Sequence, residues 1–159
     1  MNYTPIPTKK FKEILDLVPV CAVDLLFLNK DRKKTLLFRR KNEPLKGIYF
    51  VAGGRLLKNE KLIDGAVRQA RRETGLKIDK KRLKFEGVEE EIHKNSTFKN
   101  ISYHTVAPWY SYILDEEDIN LKLDNQHNDY KWFSLDNKEI HPFIKNRIKK
   151  ILKNYEKGI

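Results

Sequence analysis

Three short clusters of residues have the types and spacing that chemistry needs. The first is Gly53-Gly54-Arg55-Leu56-Leu57-Lys58-Asn59-Glu60, followed after one helix-length by Arg68-Gln69-Ala70-Arg71-Arg72-Glu73-Thr74-Gly75-Leu76. Paired glycines let a ligand approach the backbone closely and leave carbonyls free to face a cation. Glu60 and Arg68 bracket the early helix and can pair, fixing the loop on it. Glu73 places an acid near the end of the helix. The second cluster is Asp124-Asn125-Gln126-His127-Asn128-Asp129, where an amide and a histidine stand side by side in a polar loop. The third is a single residue. Asp24 interrupts an apolar strand, so its carboxylate must face a ligand or bond a neighbour.

The elements that must position these residues follow from periodicity. Apolar, strand-like runs cover 20–28, 35–40, 48–52, 85–92, 103–114 and 130–133, and the polar turn 29–34 reads as a hairpin. A helix is expected at about 8–18, with Thr8 as its cap and Phe11, Ile14, Leu15 and Val18 on one face. A second covers about 61–74 and stops at Gly75, a natural C-cap. A third runs from Pro142 to about Tyr155. Phe143, Ile144, Ile148, Ile151 and Leu152 form its apolar side; Lys145, Arg147, Lys149, Lys150 and Lys153 form a solvated basic side. Six strands with three helices give a mixed α+β or α/β/α class.

Composition bounds the function. A chain of 159 residues, 40% hydrophobic and 11% aromatic, suits one folded domain, with no repeat or low-complexity tract to divide it. Lys and Arg outnumber Asp and Glu by 33 to 22, a formal charge of +11. That field favours anionic partners, although most lysines read as ordinary solvated surface. Cys21 is the single cysteine, so no internal disulfide forms; its apolar surroundings read as a buried strand position. The first residues hold no apolar secretory core, and no stretch approaches the ~20 apolar residues that span a bilayer, so a cytoplasmic protein without membrane partners is expected.

The first cluster resembles the box of the Nudix family, G-x5-E-x7-R-E-U-x-E-E-x-G-U, with U aliphatic. Gly54, Glu60, Arg68, Ala70, Glu73, Gly75 and Leu76 match in register without a gap. Gln69 and Arg72 stand where the family normally has glutamates that bind metal or activate water. Within the family, the chain is most similar to the GDP-mannose mannosyl hydrolase subfamily, whose box is similarly depleted. The likeness extends over residues 36–44 and 47–55, and the 124–132 segment resembles that subfamily's own signature.

The resemblance implies a single Nudix domain over 1–159, with the box at 54–76, folded as an α/β/α sandwich around a mixed sheet. It implies one magnesium ion, with manganese as an alternative, held by the carbonyl of Gly53, by Glu73 and by Gln126. His127 would be the general base, since a histidine beside the site can take a proton from water. Arg40 and Arg55 would neutralise the departing diphosphate, and Asp24 would contribute to the site. The reaction implied is attack by water at the anomeric carbon of a nucleoside diphosphate sugar, GDP-mannose foremost, releasing GDP with inversion. A homodimer is implied as well. Two departures bear on sugar choice: Glu91 stands near a position where the subfamily commonly has histidine, and Thr105 where it has a tyrosine. Tyr103 lies on the same strand face as Thr105 by period two, and His104 is a further candidate to face the site. Two rival readings are an ordinary Nudix pyrophosphohydrolase attacking phosphorus, and a non-catalytic nucleotide- or RNA-binding module. The second lacks the interleaved aromatic and basic residues that RNA binding needs, so nucleic acid is not the expected partner.

Overall fold

The longest apolar run becomes the centre of the sheet. Val20–Leu28 (β1) is buried along almost its whole length, as a strand covered on both faces must be. In the computed structural model, which describes residues 6–115 and 119–156, it follows the helix Thr8–Leu17 (α1). The chain then forms Lys34–Arg40 (β2), Tyr49–Phe50 (β3), Ala52–Arg55 (β4), the helix Leu62–Thr74 (α2), Lys84–His93 (β5), Tyr103–Ile113 (β6), His127–Ser134 (β7) and the helix Pro142–Glu156 (α3). A short 3-10 turn at Lys80–Arg82 leads into β5.

The seven strands make one mixed sheet ordered β3-β2-β1-β6-β5, with β4 also pairing β1 and β7 also pairing β2. The β1–β6 pair is parallel and the remaining pairs are antiparallel. Alternation along β1 splits the core in two. Val23, Leu25 and Phe27 pack with Ala66 and Ala70 of α2. Leu26 and Leu28 pack with Trp109 and with Ile144, Ile148 and Ile151 of α3. The result is the α/β/α sandwich, one domain with a helix on each face of the sheet.

Several local expectations change. The single strand expected at 48–52 divides at Val51 into β3, which pairs β2, and β4, which pairs β1. Thr8 is the first helical residue rather than the cap; Pro7 holds that place, with no side-chain bond to the helix end. Cys21 is exposed, not buried. It shares the α2 face, but the packing of that helix begins at Val23, and the neighbour of Cys21 across the sheet is Val106, itself 38% exposed. Arg147 leaves the expected basic side of α3 altogether and is fully buried, while Leu152 of the expected apolar side is exposed. No helix among the described residues is long and apolar enough to cross a membrane.

Candidate active site

The loop after β4 is tied to α2 by one ion pair. Arg68 Nε donates to Glu60 Oε1 at 2.6 Å and its Nη2 to Oε2 at 2.7 Å; that Oε2 also accepts from the backbone N–H of Leu57 at 2.9 Å. These bonds hold the Glu60 carboxyl below the usual range. Arg68 Nη2 also reaches the carbonyl of Arg55 at 3.0 Å, so the helix grips both ends of the loop. Space requires glycine at 53, which faces backbone, whereas Gly54 faces only side chains. A Cβ on Gly53 would overlap Asp24 Oδ1 and stand 2.8 Å from the Val23 carbonyl; one on Gly54 would stand 2.6 Å from Gln69 Nε2.

The end of α2 organises the second cluster. A helix leaves its last carbonyls without partners. Here those of Glu73 and Thr74 accept from the N–H groups of Asp124 at 3.2 Å and Lys122 at 3.0 Å, while Gly75 closes the helix at φ 77°. The 122–127 segment is thereby docked against the box helix. Within it, Asp124 Oδ1 accepts from the N–H of Gln126 and pairs with His127 Nδ1, both at 2.9 Å. Burial alone would push the Asp124 carboxyl up, but these two bonds outweigh it and hold it low. With Nδ1 donating to Asp124, the lone pair of His127 lies on Nε2. That atom is buried without a partner, and the ring packs edge-on against Phe38.

Glu73 is 2% exposed, and burial pushes its carboxyl above the usual range. Its Oε2 accepts from the N–H of Gly53 at 2.8 Å and its Oε1 from Arg72 Nη2 at 2.7 Å. Gln69 is fully buried, with Nε2 on the Arg55 carbonyl at 3.3 Å.

A cleft of about 280 Å³ opens beside these groups. Asp24, Arg40, Gly53, Arg55 and Gln126 all line it. Arg40 is braced by a bond from Nε to the Pro44 carbonyl at 2.8 Å, and the Arg55 guanidinium lies 4.0 Å over the ring of Phe11. Asp24 is pushed up to about 7 by burial, a rise that its ion pair with Arg147 at 2.8 Å opposes. Glu91, His93, Tyr103 and Thr105 face the same space. Burial pushes the Tyr103 phenol up, while the nearby cations Arg55 and Arg40 pull it down.

Five of the seven expected site residues therefore meet in one cleft. Glu73 and His127 stand behind it: Glu73 is reached through Gly53 and Arg72, and His127 is the neighbour of Gln126. His104 does not face the cleft. It lies on the opposite face of β6, paired with Glu90 at 2.9 Å. Sequence puts Phe11 and Arg147 on helix faces and not in the site. Phe11 reads in sequence as an ordinary apolar helix position, and its role depends on where α1 is docked. Arg147 did leave a signal, because it falls three residues after Ile144 and four before Ile151, within the apolar stripe.

The donor chemistry suits a hard cation: one carboxylate, from Glu73, with neutral oxygens available from Gly53 and Gln126. Among the described residues no group of three or more His, Cys, Asp or Glu is placed to hold a metal. A cation held there would need further oxygens, such as those of a phosphate, and Arg72, whose side chain is 40% exposed, would have to yield its place on Glu73.

Residues 19–155 match the family model for the NUDIX domain. The low-salt glycan biosynthesis protein Agl8 of Haloferax volcanii is 34% identical over 143 residues, covering 89% of this chain and 87% of that protein. Among solved structures, the MutT protein from Methanosarcina mazei Go1 superposes with a TM-score of 0.69 at 18% identity, over 87% of this chain and 97% of its own. The NUDIX domain of Shewanella oneidensis NrtR, solved with ADP ribose, gives 0.68 at 15% identity, over 94% and 99%. At those identities the two structures speak for the fold alone.

Proposed function

We propose that this chain, which belongs to the NUDIX family, is a magnesium-dependent hydrolase of a nucleoside diphosphate sugar, GDP-mannose foremost, acting at the anomeric carbon. The observation that carries the reading is the state of the box. Gln69 and Arg72 replace two acids; one is bonded to a backbone carbonyl and the other covers Glu73. Neither of these two positions keeps a carboxylate to activate water toward phosphorus. A histidine oriented by Asp124 stands next to the cleft instead. The likeness to a glycan biosynthesis protein supports a sugar nucleotide as substrate.

In this reading Arg40 and Arg55 bind the diphosphate, since guanidinium forks match phosphate oxygens. Phe11 holds Arg55 in place from below. Bound to Gly53, Glu73 and Gln126, magnesium would supply charge neutralisation at the diphosphate. Water forms a bond to the anomeric carbon as the bond from that carbon to the diphosphate oxygen breaks. The oxygen keeps the electron pair, and His127 Nε2 takes the proton of the water. This requires His127 to turn its buried Nε2 to the cleft when substrate is bound. A homodimer belongs to the same proposal. It is supported by the exposed Phe85, Val88 and Ile92 of the sheet's edge strand β5, and it is checked by analytical ultracentrifugation.

The experiment is hydrolysis of GDP-mannose in oxygen-18 water with magnesium. GDP and mannose should form, with the label on the sugar. GMP and mannose 1-phosphate, with the label on phosphate, would replace this reading with the ordinary pyrophosphohydrolase.

A further inference from the structure

Arg147 is the one charged residue of α3 that faces the core. It is 0% exposed, flanked by Ile144, Ile148 and Ile151. Its Nη2 reaches Asp24 Oδ2 at 2.8 Å and Glu91 Oε1 at 2.6 Å, and its guanidinium lies 5.6 Å from the centre of the Trp109 ring. Nε and Nη1 have no hydrogen-bond partner. Burying an ion pair costs the desolvation of both ions, and apolar residues of similar volume often serve stability as well or better. Packing alone gives no reason for an arginine here.

Both carboxylates it holds belong to the cleft. Each gives one oxygen to Arg147 and keeps one, Asp24 Oδ1 and Glu91 Oε2, the latter 3.5 Å from His93 Nε2. The cleft thus has two chemically different parts. Arg40 and Arg55 offer donors and positive charge, which suit phosphate. Once ionised, Asp24 and Glu91 offer acceptor oxygens only, which suit groups that donate. On a nucleotide sugar, the groups that donate beside the diphosphate are the sugar hydroxyls.

We infer that Arg147 is a positioning residue that holds Asp24 and Glu91 side by side as a paired acceptor for hydroxyls of the sugar, and so sets which sugar the cleft takes. The inference rests on the nucleotide-sugar reading above. Without the guanidinium nothing bridges the two carboxylates, which as like charges turn apart and no longer present their free oxygens together.

The test compares wild type with Arg147→Met, which keeps length without pairing, and Arg147→Lys. The readouts are KM for GDP-mannose, the inhibition constant of GDP, and thermal unfolding. Where there is no turnover, calorimetric Kd values for the same two ligands replace them. Arg147→Met should weaken GDP-mannose by about tenfold or more, the scale of one hydrogen bond to a charged group, while GDP affinity holds. Arg147→Lys should recover part of the loss. Equal weakening of both ligands, or of neither, would overturn the inference. If Arg147→Met does not fold, Glu91→Gln decides. It keeps Arg147 paired with Asp24 but removes one charged acceptor, so GDP-mannose should again weaken relative to GDP, and an unchanged ratio overturns the inference. The two readings fail separately. Wild type that prefers GDP-mannose to GDP but releases no mannose sinks the hydrolase and leaves the positioning role to the ratio in Arg147→Met. Wild type that turns over GDP-mannose, with that ratio intact in Arg147→Met, sinks the positioning role alone.

Discussion

Replacing Glu73 by glutamine changes one atom and one charge at the buried end of α2. The amide oxygen can still accept from the N–H of Gly53, now met at 2.8 Å by Oε2. The amide nitrogen then faces Arg72, and that guanidinium, 40% exposed, can turn to water. Lost is one ion pair; relieved is the burial of a charge that pushes the Glu73 carboxyl up. These two effects oppose each other, so the stability change should stay within about 1 kcal/mol. Turnover should behave otherwise, because Glu73 is the one carboxylate of the proposed ligand set, with Gly53 and Gln126. Removing its charge should lower kcat at least ~100-fold, about 2.7 kcal/mol of barrier, and raise the magnesium concentration at half activity. The assays are a magnesium titration of GDP-mannose turnover and a thermal melt of the same preparation. Gln69→Ala is the control. It empties a fully buried position, so it should lower Tm while leaving the magnesium midpoint in place. A Glu73→Gln enzyme with normal turnover and an unmoved magnesium midpoint would refute the assignment of Glu73 as ligand.

Three further outcomes are expected. His127→Gln should lower kcat by ~100- to 10,000-fold with little change in KM; near-normal turnover means another group takes the proton. Gly53→Ala should destabilise by about 1–3 kcal/mol and lower activity, because its Cβ meets Asp24 and the fixed Val23 carbonyl at 2.8 Å; a melt equal to wild type would show that β4 can retreat from β1. Asp24 is raised from 3.8 to about 7. The folded protein therefore holds this proton more tightly than the unfolded chain, and the stability it contributes is full below the unfolded value and lost as pH rises through the folded one. Asp24→Asn should flatten the fall in Tm over that interval, and an unaltered slope would show that Asp24 is not the group responsible.

Most of the frame was legible because it rests on local rules. The nine-residue, largely apolar β1, the Gly75 stop and the spacing from Gly54 to Glu73 each follow from period, turn chemistry or box register, and each stands where sequence placed it. Strand parity also put Tyr103 and Thr105 on one face, as found in the cleft. What was not legible depends on how distant elements dock. Cys21 continues an apolar run, but on its face of the sheet the packing under α2 begins only at Val23, while α1 packs against its neighbour Val20. His104 alternates to the outer face because Tyr103 and Thr105 take the inner one. Phe11 meets Arg55 only because α1 packs beside β4.

Arg147 and Asp24 show where a sequence argument can be carried further. Asp24 is a carboxylate in an apolar strand and was recognised as needing a partner. Arg147 is a cation within an apolar helical stripe, yet reads as one more charge on a basic helix because Lys145, Lys149, Lys150 and Lys153 surround it in sequence. Each residue is out of place by the same criterion, a charge at a position whose period calls for burial. A buried charge must be paired. Two such positions of opposite sign, on a central strand and on the helix that covers its face, are candidates for each other before any coordinate is known. The structure pairs them at 2.8 Å and adds Glu91, the very residue that departs from the subfamily pattern. A chain with a neutral histidine in place of Glu91 would leave the guanidinium a single carboxylate. Glu91 and Arg147 are therefore best read as one unit. Glu91→His should destabilise the fold in the presence of Arg147 and do so much less in an Arg147→Met background, a coupling that a double-mutant cycle of thermal melts measures directly. Additive effects would mean that the two residues are independent and that the departure at Glu91 has some other cause.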